Sequence, residues 1–133
     1  MTSLRSVGVL VALVGFACGC TSKVAGSVTI DGQPFTVAEC RSGAAFNFSG
    51  IQLADASGRN LRLVQRVDGG ISAAVFAPGQ AKGDMFDGSC GTIEIRTQNS
   101  RINNIRNVEG KATLSCTGNG HTLDGTIEFE NCH

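Results

Sequence analysis

The stretch SVTIDGQPFTV, residues 27–37, decides the fold class. Val28 and Ile30 alternate with polar neighbours, Asp31-Gly32 interrupts the pattern, and Phe35 and Val37 resume it. A period of two places alternate residues on one face of a strand. Asp-Gly readily takes the positive φ angles that a tight two-residue turn requires. A β-hairpin is therefore expected here, and the same grammar of alternation and glycine turn continues to the end of the chain.

In AAFNFSGIQLADASGRNLRLVQRVDGG, residues 44–70, the apolar positions are Phe46, Phe48, Ile51 and Leu53, then Leu61, Leu63, Val64 and Val67. The change of phase at Ser49-Gly50 predicts a bulge, and Asp55–Gly58 a turn. Arg62, Arg66, Asp55 and Asp68 read as solvated charges around the hairpin turns. ISAAVFA (71–77) ends at Pro78-Gly79, and CGTIEIRT (90–97) sets Ile93 and Ile95 on one face. In INNIRNVEGKATLSC (102–116), Ile102, Ile105 and Val108 have helical spacing, but three asparagines oppose a helix. A bulged or irregular strand is the expectation. HTLDGTIEFENC (121–132) closes the series with Leu123, Ile127 and Phe129. The expected fold is all-β, an antiparallel sandwich or barrel-like sheet of seven to nine strands with no helix after residue 20. No linker or repeat divides residues 26–133, which are expected to form a single domain.

The first twenty residues differ in kind. Arg5 is their only charge, and the apolar-or-small run Val7 to Ala17 is too short for a bilayer-spanning helix, which needs roughly twenty residues. The charged start, short apolar middle and small-residue end predict a secretory signal peptide. Its end, VGFACGC (14–20), resembles the lipobox of bacterial lipoproteins, with Ala17, Cys18 and Gly19 before Cys20. Ala17 departs from that family's usual leucine. The resemblance implies cleavage before Cys20 and a diacylglyceryl group on its thiol. Residues 1–19 would then be the signal peptide and 20–25 a short lipidated tether. Modification at Cys18 instead would set Phe16 beside the cleavage site and leave five cysteines, an odd number in an oxidising compartment. A secretory signal without lipid and an uncleaved anchor are the alternatives.

Beyond Cys20 the cysteines are Cys40, Cys90, Cys116 and Cys132. Their spacings lack the close pairs of a four-cysteine metal site, so two disulfides are expected, with three possible connectivities. A hairpin of 90–97 and 107–116 is symmetric about residue 103. That symmetry favours Cys90–Cys116, given a bulge to set the parity, and leaves Cys40–Cys132.

Without Arg5, ten basic side chains face eleven acidic ones, with no basic stripe, so no nucleic-acid partner is expected. The chain has no Trp and no Tyr, which argues against a carbohydrate-binding face or an interface built on such anchors. No phosphate loop, nucleophile elbow or zinc-protease motif occurs, so no cofactor and no catalytic residue is assigned. His121 and His133 are read as solvated, and Ser89 as the neighbour of a bridging cysteine. In GDMFDG (83–88), Asp84 and Asp87 offer two ligands where calcium takes six to eight, so no metal is expected.

VTIDG near the start and GTIEFENC at the end also resemble small β-rich lipoprotein antigens of mycobacteria. That likeness implies a surface lipoprotein with lipid among its candidate ligands, no catalytic residues, and a single bridge that Cys40 and Cys132 would match. The two further cysteines and the lack of a long linker depart from it. The functional expectation is a non-enzymatic, lipid-anchored cell-envelope protein, at the outer membrane if the source is Gram-negative, with a binding or structural role. The alternative is a carrier whose Phe35, Phe46, Phe48, Phe76, Phe86 and Phe129 line a cavity for an apolar ligand. An enzyme would need polar residues converging around His121, Asp124 or Asp84.

Overall fold

Among the described residues ten strands form: β1 Lys23–Ile30, β2 Gln33–Phe35, β3 Glu39–Ser42, β4 Gly50–Ala54, β5 Asn60–Gln65, β6 Ile71–Phe76, β7 Asp84–Met85, β8 Gly91–Ile102, β9 Ile105–Gly118 and β10 His121–Cys132. The computed structural model describes residues 21–133. The expected signal peptide, Cys18 and Cys20 lie outside the described residues. The strands pair into two antiparallel sheets, β2-β1-β10-β9-β8 (sheet A) and β3-β4-β5-β6-β7 (sheet B).

The all-β expectation holds, with ten strands instead of seven to nine. Three two-residue turns supply much of the order. Asp31-Gly32, Asn103-Asn104 and Asn119-Gly120 all have positive φ at both positions, and each joins directly paired strand ends. This is the turn geometry whose twist matches a hairpin. One face of each sheet packs inward. Val28, Ile30, Ile93, Ala112, Leu114, Leu123, Ile127 and Phe129 of sheet A meet Ile51, Leu53, Leu61, Leu63, Ile71, Ala73 and Val75 of sheet B, all buried.

Three local expectations change. β1 begins at Lys23, so only Thr21 and Ser22 of the described residues remain of the tether expected over 20–25. Phe46 and Phe48 do not continue a strand. Ser42 caps a 3-10 turn over Gly43–Phe46, its hydroxyl accepting from Ala44 N–H, and Asn47 closes the turn at φ 64°. The short strands β3 and β7 have too few apolar residues to announce themselves.

Both expected disulfides are present. Cys40–Cys132 joins β3 to the end of β10 and so ties sheet B to sheet A, with Cα atoms 5.0 Å apart. Cys90–Cys116 spans 4.7 Å between Cα atoms. Cys90 precedes β8 and donates its N–H to the Ile71 carbonyl of β6, so this bridge also lies where the sheets approach. The β8–β9 register shifts by two residues between Thr97 and Arg101, which leaves the parity unchanged, so Cys90 lies opposite Ser115, whose N–H its carbonyl accepts, and bridges to the neighbouring Cys116.

Candidate functional site

At the end of the sandwich where β1 starts and β10 stops, several contacts fasten the chain. Ser22 Oγ accepts a hydrogen bond from Cys40 N–H at 3.2 Å, so the chain is held to β3 one residue before β1 begins. Lys23 pairs with Glu130 at 3.5 Å, both exposed, a contact of small energetic value. Cys132 reaches inward because β10 carries a bulge between Phe129 and Cys132, with Asn131 at φ 56°. Without it, Cys132 would have the parity of the outward residues Glu128 and Glu130, away from Cys40. Gln98 holds the bulge at two points. Its Oε1 accepts from Asn131 N–H at 2.9 Å, and its Nε2 donates to Asn131 Oδ1 at 3.1 Å. Neither residue was singled out in the sequence, since two amides thirty-three positions apart have no local signature.

From the same end, β8 and β9 run on past the last residue of β10. Cys132 lies opposite Val108, and beyond that level the hairpin continues through Arg106 and Ile105 to Asn103-Asn104.

At the opposite end a cluster of ionisable groups surrounds His121. His121 Nδ1 lies 2.7 Å from Asp31 Oδ2, and its Nε2 lies 3.4 Å from Asp84 Oδ2. Asp31 also accepts from Thr122 N–H at 2.9 Å. The first turn, β7 and the start of β10 are thereby clasped together, with His121 6.3 Å from the Phe86 ring. The hydrogen bond to Asp31 raises the His121 pKa above 6.5; burial opposes this, and Asp84 reinforces it. The same bond, with that from Thr122, lowers the Asp31 pKa below 3.8. Of the residues named around a hypothetical cleft, His121 and Asp84 do converge. Asp124 does not: it faces Ser115 and Thr29 on the outer face of sheet A. Asp31, read from sequence as a turn former only, is the stronger partner of His121. With both ring nitrogens facing carboxylates, the imidazole bridges two acids. Among the described residues no three His, Cys, Asp or Glu side chains are disposed to hold a metal ion. Asp87, the other half of the acidic pair, donates its backbone N–H to Thr117 instead of converging with Asp84.

The six phenylalanines divide. Phe35, Phe86 and Phe129 are core residues, whereas Phe46, Phe48 and Phe76 are half-buried on the outer face of sheet B. Arg62 organises the second group. Its Nε and Nη2 donate to Gln52 Oε1 at 3.0 and 2.9 Å. Its guanidinium carbon lies 5.5, 4.9 and 5.2 Å from the rings of Phe46, Phe48 and Phe76, within cation–π range. Arg41 adds a second cation 5.1 Å above Phe46. Arg62 is thus a fixed element of an aromatic platform, not the freely solvated charge expected from sequence. The outer face of sheet A is polar, with an open depression of about 610 Å³ over Gly110 edged by Lys23, Glu94, Arg96, Lys111 and Glu128.

No helix among the described residues is long and apolar enough to cross a membrane. Comparison of the chain with family models, curated proteins and solved structures finds no match in any of the three.

Proposed function

We propose that the chain is a non-enzymatic cell-envelope lipoprotein, attached through a diacylglyceryl group on Cys20 and serving to hold a β-sandwich against the membrane as a binding or structural element. The observation that carries this reading is the fastening of Ser22 to Cys40, two residues after the cysteine of the lipobox-like sequence. A cysteine so close to a doubly bridged fold suits an anchor. Acyl chains supply about 0.8 kcal/mol per buried CH₂, and two or more give stable attachment. The cross-bridged sandwich supports an oxidising, extracytoplasmic location. The bridging geometry of His121 supports a structural role over catalysis. The aromatic platform around Arg62 is the best candidate surface for a protein partner. The carrier alternative draws less support, because three of its six phenylalanines face outward from sheet B while the other three pack in the core.

Cys20→Ser tests the proposal. Metabolic labelling with a fatty acid should disappear and the precursor should persist uncleaved, while Cys18→Ser should alter neither. Undiminished labelling of the Cys20→Ser chain would refute it.

A further inference from the structure

The tip of the β8–β9 hairpin reads Arg101-Ile102-Asn103-Asn104-Ile105-Arg106, two arginines outside two isoleucines. Arg101 lies directly opposite Arg106, and Ile102 opposite Ile105. Like charges facing each other across a hairpin destabilise it. Both arginines are exposed, and among the described residues neither has a carboxylate within ion-pair distance, although Arg41, Arg59, Arg66 and Arg96 each do. The domain as a whole is close to neutral, so this local pair of cations is not a consequence of overall charge.

Its position adds the second half of the argument. Lys23 lies opposite Glu130, which the β10 bulge sets between the levels of Gly110 and Val108 on β9, that is, beside Glu109. From Glu109 to Asn104 the hairpin advances five residues, about 16 Å at roughly 3.3 Å per residue. Twist of about 20–25° per strand, accumulated over the two strand intervals from β1 to β9, reduces the projection to about 12 Å. Cys20 precedes Lys23 by three residues, which span at most about 10 Å. The tip therefore projects further than the chain can reach between Lys23 and Cys20. With the acyl chains of Cys20 in a bilayer, the hairpin meets the headgroup layer whenever the domain stands with β1 towards the membrane.

We infer that this tip is a second membrane contact, docking on an anionic phospholipid surface: Arg101 and Arg106 pair with headgroup phosphates, and Ile102 and Ile105 enter the interface. The inference rests on the acylation of Cys20 proposed above.

The absence of Trp and Tyr makes the test clean. In the acylated Ile105→Trp chain, a single indole reports from the tip. On phosphatidylcholine vesicles containing phosphatidylglycerol, its emission should shift to the blue and be quenched by brominated acyl chains. Pure phosphatidylcholine should give much less of both. Adding Arg101→Gln and Arg106→Gln should lower the ratio of docked to undocked tip about thirtyfold, at about fivefold for each basic side chain near an anionic surface. Ile102→Trp serves if the first variant does not fold. In the unaltered protein, tryptic cleavage after Arg101 and Arg106 should be slower on anionic than on neutral vesicles. A water-like, unquenched indole on anionic vesicles, in a chain that floats with them, would overturn the docking and leave the anchor standing. Mass spectrometry showing an unmodified Cys20 would overturn the anchor, and with it the length argument for docking.

Discussion

Removing the Cys40–Cys132 bridge tests what ties the two sheets together, and the structure gives the expected size of the effect. The two cysteines are 92 residues apart, but the Cys90–Cys116 bridge short-circuits 26 of these, leaving an effective loop of about 66. The chain-entropy relation then gives about 4.4 kcal/mol for the long bridge and about 3.5 kcal/mol for the short one. For the described 113 residues, at about 2.1 cal/mol/K per residue, the unfolding entropy is about 0.24 kcal/mol/K. Cys40→Ala with Cys132→Ala should therefore lower Tm by about 18 °C, and Cys90→Ala with Cys116→Ala by about 15 °C. Cys40, Cys132 and Cys90 are fully buried, so the loss of sulfur from the core adds to both figures. Thermal unfolding followed by circular dichroism, with non-reducing peptide maps of each chain, is the assay. A loss of only a few degrees for the long bridge, or a clearly greater loss for the short one than the long one, would refute loop closure as the source of stabilisation.

The clasp at the opposite end makes stability depend on pH. The folded pKa of His121 is raised, so its contribution is complete below about 6.5 and disappears as pH rises through the folded value. Asp31 is lowered, so its contribution is complete above about 3.8 and disappears as pH falls through its folded value. Urea unfolding should therefore show His121→Gln to be most damaging at about pH 5.5 and least at about pH 9; an equal penalty at both would contradict the assignment. Gln98→Ala removes two hydrogen bonds from the Asn131 bulge and should cost about 1–3 kcal/mol. It should also speed amide exchange at Asn131 and reduction of the neighbouring Cys40–Cys132 bridge by a thiol, and unchanged rates would show that the bulge holds without it.

The hairpins were legible because their turns are chemical: Asp31-Gly32 and the Gly-Asn-Gly before His121 need positive φ, and alternation on either side fixes the inward face. The bridge pairing was legible for the same reason, since a hairpin centred near residue 103 brings Cys90 towards Cys116. The misreadings are equally physical. Phe46 and Phe48 alternate like strand residues, yet they flank Asn47 at φ 64° and fold out onto sheet B around Arg62. Ile102 and Ile105 have helical spacing because they flank a two-residue turn, and in the structure they face each other across it. The contacts between Asp31, Asp84 and His121 and between Gln98 and Asn131 join residues 90, 37 and 33 positions apart. Periodicity carries no information about such pairs; only the sheet order brings them together.

The pairing of β1 with β10 has a consequence for how the molecule is made. In a chain delivered N-terminus first, the β4–β6 meander of sheet B can form from local contacts, but sheet A lacks the partner of its first long strand until β10 arrives. Until then the inner face of sheet B lacks a complete opposing layer, and part of its apolar surface stays open to water or to a chaperone. The order of thiols makes the interval hazardous, because Cys90 emerges before Cys116 and Cys132, so the first pair available to an oxidant is the non-native Cys40–Cys90. If the chain is exported to an oxidising compartment as proposed, its maturation should consequently depend on an isomerase that undoes early bridges, and strains deficient in disulfide reshuffling should accumulate it as a mispaired, protease-sensitive species even though every native contact remains encoded.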